Sequence, residues 1–172
     1  MQSEADNPKP QIAFIALGSN LDDPARYIDI GFRELAALPR TRVVRKSSLY
    51  RSAPVGYLDQ PDFVNAVAQI ETSLRPRELL EALLMIEHRH GRVRDFPNAP
   101  RTLDLDIALY GDLALHEPGL TIPHPRMHER AFVMVPLAEI APDTRIPGRG
   151  TARELLRNVD ASSVVRQTGV SA

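Results

Sequence analysis

The chain has 172 residues, a formal net charge of −1 and no cysteine. Disulfides, zinc–thiolate sites and thiol catalysis are therefore excluded, and the balanced charge exerts no overall pull toward nucleic acid or an anionic membrane. No apolar run has the length of a membrane span, and the polar start 1–10 lacks the basic and apolar segments of a secretion signal, so the expectation is a cytoplasmic, monomeric single domain over 1–172, with a core over about 11–145, an N-terminal extension 1–10 and a C-terminal tail from about 159.

Residues 11–17 (QIAFIAL) form an apolar run followed by Gly18-Ser19-Asn20, which predicts a buried strand and a turn. Asp22 or Asp23 then caps a helix with Pro24 at its first position. Ile28, Leu35 and Leu38 recur at helical spacing until Pro39. A second strand is expected over 43–51, and Pro54, Gly56 and Pro61 mark 52–62 as a loop. Residues 63–72 (FVNAVAQIET) predict a third strand with Phe63, Asn65, Val67 and Gln69 on one face. Pro76 opens a second helix with Leu79, Leu83 and Ile86 on one side, and Gly91 ends it. A polar, proline-containing loop over 92–101 leads into a fourth strand over 102–110 (TLDLDIALY). Short edge strands over 113–115 and 120–122, a helix over 132–140 and a last short helix over 151–158 complete the reading. The order strand, helix, strand, strand, helix, strand is the α+β, ferredoxin-like βαββαβ arrangement. Its helices lie on one face of an antiparallel sheet, here extended by a C-terminal hairpin and helices.

The sharpest chemical feature is Asp104-Leu-Asp106. On a strand, residues two apart share a face, so both carboxylates aim at one spot while Leu103, Leu105 and Ile107 turn to the core. Two such charges together are unfavourable without a cation, and magnesium suits a pair of carboxylates completed by water and phosphate oxygens. Arg92, Arg94 and Arg101 precede the pair and Arg130 follows it, a set that fits a metal–polyphosphate complex. A solvent-facing acidic strand with surface ion pairs fits the same residues. His124, between Pro123 and Pro125, is held so that it can donate to a phosphate, join the acids as a metal ligand, or serve as a structural hydrogen-bonding group. Gly18 permits either a tight turn or close approach to a ligand. No P-loop is present.

The stretches IALGSNL (15–21), SSLYRSAPVG (47–56), DQPDFVNAV (59–67), GRVR (91–94), PRTLDLDI (100–107) and LTIPHPRMHERAF (120–132) together resemble the 6-hydroxymethyl-7,8-dihydropterin pyrophosphokinase family. This resemblance implies transfer of pyrophosphate from ATP to 6-hydroxymethyl-7,8-dihydropterin, giving AMP and the pterin diphosphate in folate biosynthesis. It implies two Mg2+ ions on Asp104 and Asp106, with ATP as co-substrate and the hydroxymethyl-pterin as the other small-molecule partner. By the same resemblance Arg92 and Arg101 contact the transferring phosphates. Glu87, Arg94, Ile107, Thr121, His124 and Arg130 surround the nucleotide, and Gly18, Ser52, Val55, Phe63, Asn65 and Phe132 form the pterin pocket. The loop 95–100 (DFPNAP) lacks the tryptophan common in the family and is expected to act as a lid. Two further readings fit the residues: a two-metal nucleotidyltransferase, disfavoured by the long separation of Gly18-Ser19 from Asp104, and a ferredoxin-like binding module. An RNA-binding module of that kind would carry more aromatics and basic residues on its strands.

Overall fold

The computed structural model describes residues 8–21, 23–54, 58–91 and 102–167. In chain order the first half runs β1 (Gln11–Ser19), α1 (Pro24–Ala36), β2 (Thr41–Lys46), β3 (Tyr50–Ser52), β4 (Phe63–Thr72), α2 (Pro76–Arg89) and β5 (Asp104–Tyr110). Asp23 caps α1 by accepting the Arg26 N–H, and Pro24 occupies its first turn. β1 and β4 lie side by side at the centre of an antiparallel sheet, with β5 beyond β1 and both β2 and β3 beyond β4. This is the expected ferredoxin-like order with one change: the second strand is two.

The break has a cause in side-chain chemistry. At Ser47 the backbone N–H donates to the Val67 carbonyl, but the return bond from Val67 N–H goes to the Ser47 hydroxyl, each at 2.9 Å. The Ser48 N–H and hydroxyl both donate to the Glu139 carboxylate instead of to the ladder. The competition of serine hydroxyls with backbone partners interrupts a strand that its β-branched content would otherwise continue.

α1 and α2 cover one face of the sheet. Ala13, Ile15 and Leu17 of β1, with Leu103, Leu105 and Ile107, meet Ile28, Leu35, Leu79, Leu83 and Ile86 there. Gly31 sets the depth of α1: a Cβ at that position would stand 2.7 Å from Leu17 Cδ2. Glycine inside a helix costs about 1 kcal/mol relative to alanine, and here it allows the helix to seat on β1. Truncating a fully buried leucine of this layer, such as Leu83, should cost about 2–5 kcal/mol.

The opposite face receives α3 (Ala131–Ile140), packed on Phe14, Val67, Ala108 and Leu109, with α4 (Ala152–Leu156) behind it. A bulge makes this possible. The β1–β5 register pairs Ile15 with Ile107 but Phe14 with Leu109, so Ala108 is the extra residue. Ala108 and Leu109 therefore both belong to the α3 side, and the simple alternation of the fourth strand ends at Ile107.

The expected edge strands differ from the observed ones. Among the described residues β6 (Leu115–Glu117) pairs with β7 (Leu120–Ile122) alone, as a separate hairpin rather than on the main sheet. Arg77 of α2 ties this hairpin down through Glu117 and the Pro118 carbonyl. β8 (Arg145–Ile146) and β9 (Gly150–Thr151) make a second small hairpin before α4. The tail contributes β10 (Val165–Arg166), which pairs with β3 at the sheet edge. Among the described residues no helix is long and apolar enough to cross a membrane.

Candidate active site

A cavity of about 520 Å³ opens on the α3 side of the sheet, over β5, β1, β4 and β3. Its floor follows from register. Gly18 pairs with Asn65 on β4 and with Asp104 on β5; Ala16 pairs with Val67 and with Asp106. Two small residues on the central strand thus leave room between the amide of β4 and the acids of β5. Gly18 and Ser19 are part of β1, so the turn expected at Gly18 is absent. The glycine serves close approach instead, since a Cβ there would lie 3.1 Å from Asn65 Nδ2 and 3.9 Å from Phe63 Cδ1.

Asp104 and Asp106 are both half-buried and both line the cavity, while Leu103, Leu105 and Ile107 are buried in the helix-side core. Between the two acids the Leu105 N–H points away from β1 and donates to Glu87 Oε2 at 2.7 Å. Glu87 is a buried residue of α2 and does not line the cavity; its carboxylate holds the strand that carries the acids. Two carboxylates side by side at a cavity wall suit a divalent cation that completes its shell with water or phosphate oxygens. Among the described residues no group of three or more His, Cys, Asp or Glu is placed to hold a metal. His124 therefore does not complete a ligand triad with the acids.

At the β4 end, Phe63, Asn65 and Ser52 line the cavity together with Gly18 and with Phe132 from the first turn of α3. The Ser52 hydroxyl donates to Asn65 Oδ1 at 2.7 Å in a buried bond, which leaves the amide nitrogen of Asn65 as the group offered above Gly18. The Arg130 guanidinium lies 5.6 Å from the centroid of the Phe132 ring, within cation–π range. One aromatic ring is thus shared between a flat apolar slot and a cationic rim.

His124 reaches the cavity because its backbone N–H donates to the Ala108 carbonyl, docking the loop against β5. Its Nδ1 accepts the Arg126 N–H at 3.3 Å. Burial of the ring and the positive charge of Arg130 push its pKa below the ordinary 6.5; Asp104 opposes this and Arg126 adds to it. At neutral pH the imidazole is neutral and, with Nδ1 used as acceptor, presents Nε2–H as a donor.

Of the other expected residues, Ile107 turns its side chain into the helix-side core. Thr121, on β7, places its hydroxyl 3.1 Å from His116 Nδ1 and does not line the cavity. Val55, Arg92, Arg94, Arg101 and the loop 95–100 lie outside the described residues. The cavity also takes in Arg126 and Glu129, an ion pair at 3.8 Å on the turn before α3, and Asp160, Ser163 and Val164 near the C-terminus. Arg126 was legible as the basic residue two beyond His124. The last three carry no local signal, since they lie on irregular chain before β10, where there is no periodicity to read.

A family model described as 7,8-dihydro-6-hydroxymethylpterin-pyrophosphokinase (HPPK) matches residues 14–142. A Pseudomonas aeruginosa protein named 2-amino-4-hydroxy-6-hydroxymethyldihydropteridine pyrophosphokinase is 47% identical over 159 residues, covering 92% of this chain and 98% of that protein. A Haemophilus influenzae protein of the same name is 49% identical over 145 residues, covering 84% of this chain and 91% of that protein. Among solved structures, a Plasmodium falciparum HPPK-DHPS chain superposes with a TM-score of 0.72 at 16% identity, over 90% of this chain. This chain spans 46% of that longer one, and at such identity the likeness shows the fold.

Proposed function

The chain belongs to the 7,8-dihydro-6-hydroxymethylpterin-pyrophosphokinase family, and we propose that it transfers the pyrophosphoryl group of ATP to 6-hydroxymethyl-7,8-dihydropterin in folate biosynthesis, releasing AMP. One observation carries this reading beyond kinship: Gly18 sits between Asn65 and Asp104 in the sheet register, so a ring-binding end and an acid pair share one cavity floor.

Phe63 and Phe132 suit the faces of a flat heterocycle, and the Asn65 nitrogen and Ser52 suit its polar edge. Asp104 and Asp106 would hold Mg2+, two ions by family resemblance, which when bound would neutralise charge on the triphosphate. Arg130, fixed over Phe132, would hold phosphate oxygens next to the ring, and His124 would donate Nε2–H to another. The outcome is alignment: the hydroxymethyl oxygen faces the β-phosphorus, its new O–P bond forms, and the bond to the α-phosphate oxygen breaks as AMP leaves. The hydroxyl proton passes to solvent or to a nearby acceptor. Arg92 and Arg101 are assigned to the transferring phosphates. Glu87, Arg94, Ile107 and Thr121 go to the nucleotide surroundings, Ile107 only through its backbone. Val55 goes to the pterin pocket. All of these assignments rest on the family resemblance.

The test is product analysis. Incubation with ATP, Mg2+ and the hydroxymethyl-dihydropterin should accumulate AMP and pterin diphosphate in equal amounts. Formation of ADP would show single phosphoryl transfer, and free pyrophosphate with a nucleotidylated product would show nucleotidyl transfer; either would reject the proposal.

A further inference from the structure

The segment Asp160–Val164 lies beyond residues 14–142 that match the family, yet Asp160, Ser163 and Val164 line the same cavity as the acid pair. Its position is fixed by backbone pairing. Val165 pairs with Arg51 and Arg166 with Tyr50, and the Gln167 N–H donates to the Leu49 carbonyl at 2.8 Å. Ser163 and Val164, just before this pairing, line the cavity together with Ser52 and Ala53, just beyond Arg51. The turn leading in is closed by Val164 N–H to the Ala161 carbonyl at 3.1 Å and by Ser162 N–H to Asp160 Oδ1 at 3.0 Å.

The sheet order assigns this wall to one end of the cavity. β3 is separated from β5 by β4 and β1, three strand spacings or about 14 Å. The neighbours of β3 are thus remote from Asp104 and Asp106 and adjacent to Ser52, which orients Asn65. The cationic residues Arg126 and Arg130 enter with the turn before α3 and its N-terminal cap. The tail instead brings one apolar side chain, one hydroxyl and one acid, Val164, Ser163 and Asp160, which suit a neutral heterocycle and disfavour a triphosphate.

We propose that the docked C-terminal segment is a wall of the heterocycle subsite, with Val164 as a specificity-determining residue against the ring. The proposal rests on the pterin reading of the site. It adds that discrimination among ring substituents at the β3 edge comes from residues outside the matched family region.

Two variants of the full-length chain test it. Val164→Asp places charge where the apolar contact is inferred, and Val165→Pro disturbs the pairing of β10 with β3. Binding of hydroxymethyl-pterin and of an ATP analogue with Mg2+ is measured separately by titration, alongside thermal unfolding. Both variants should weaken pterin binding about tenfold and change nucleotide binding by less than about twofold, the scale of losing one buried apolar side chain. Equal weakening of both ligands with a fall in unfolding temperature would reduce the segment to a structural role and overturn the inference. Wild-type pterin affinity in both variants would overturn it too. If the wild-type protein binds no pterin, the functional reading falls first and this inference with it.

Discussion

At Gly18 one methyl group decides whether Asn65 can keep its place at the proposed ring-binding end. A Cβ would press on Asn65 Nδ2 at 3.1 Å, and the amide cannot turn aside because its oxygen is held by Ser52 at 2.7 Å. Gly18→Ala should therefore shift Asn65 and raise KM for the pterin about tenfold, the effect of losing a hydrogen-bonded contact of about 1.4 kcal/mol. KM for ATP should stay near its wild-type value, because Asp104 lies across β1 on the other strand. Steady-state kinetics with each substrate varied in turn checks this, and a rise in both KM values would mean that β1 itself had been displaced. Asp104→Asn and Asp106→Asn should act on the other end. Each should lower kcat about a hundredfold or more, as loss of a preorganised electrostatic contact does, while pterin binding in the absence of nucleotide is kept.

Among the elements, α3 is the one whose position matters most to the site, since its first turn carries Phe132 and its N-cap is Arg130. It is clamped at the far end. Arg45 Nη1 donates to the Ile140 carbonyl at 3.0 Å, and the Glu139 carboxylate accepts from Ser48 N–H at 2.8 Å, the Ser48 hydroxyl at 2.7 Å and the Tyr50 hydroxyl at 2.9 Å. Burial raises the Glu139 pKa, but these bonds from Ser48 and Tyr50, with the charge of Arg166, outweigh it and hold the group below 4.5. The Tyr50 hydroxyl is pushed up to about 12, by burial first and then by Glu139. A carboxyl whose folded pKa is depressed contributes stability that is complete above its unfolded value and fades as pH falls through the folded one. Glu139→Gln should thus destabilise the protein by about 1–3 kcal/mol near neutral pH, and the difference should shrink below pH 4.5. Denaturant unfolding of both proteins at neutral and acid pH measures it; a constant difference across that range would show that the carboxylate charge is not the clamp.

The same elements show what local sequence carries. The third strand and the start of α2 were legible because alternation over 63–72 and proline at 76 are local signals, and both recur as read. The shared face of Asp104 and Asp106 was legible for the same reason. The division of β2 from β3 was not, because it depends on Glu139 arriving from α3 to engage Ser48. Nor was the bulge at Ala108, which is set by how β5 pairs with β1. Glycine at 18 gave two readings that only Asn65, from a distant strand, could separate.

At the scale of the molecule, β5 is held in the sheet by contacts separate from those proposed for its acids. β5 is anchored by Leu103, Leu105 and Ile107 in the helix-side core and by the Glu87 carboxylate on the Leu105 N–H. None of these contacts involves the carboxylates of Asp104 or Asp106. Removing Mg2+ with EDTA should then stop turnover and leave the unfolding temperature of the ligand-free protein nearly unchanged. Ligand linkage gives the complementary measurement. A ligand present at a hundred times its Kd stabilises the folded state by about 2.7 kcal/mol, so saturating ATP with Mg2+ should raise the unfolding temperature of the wild type by several degrees. ATP with EDTA should give a much smaller rise. Asp104→Asn and Asp106→Asn, each compared with its own ligand-free unfolding temperature, should lose most of the rise with Mg2+ and ATP. A full rise in both variants would remove the acid pair from the nucleotide–metal site, and a low starting temperature would mean that these carboxylates hold the sheet together.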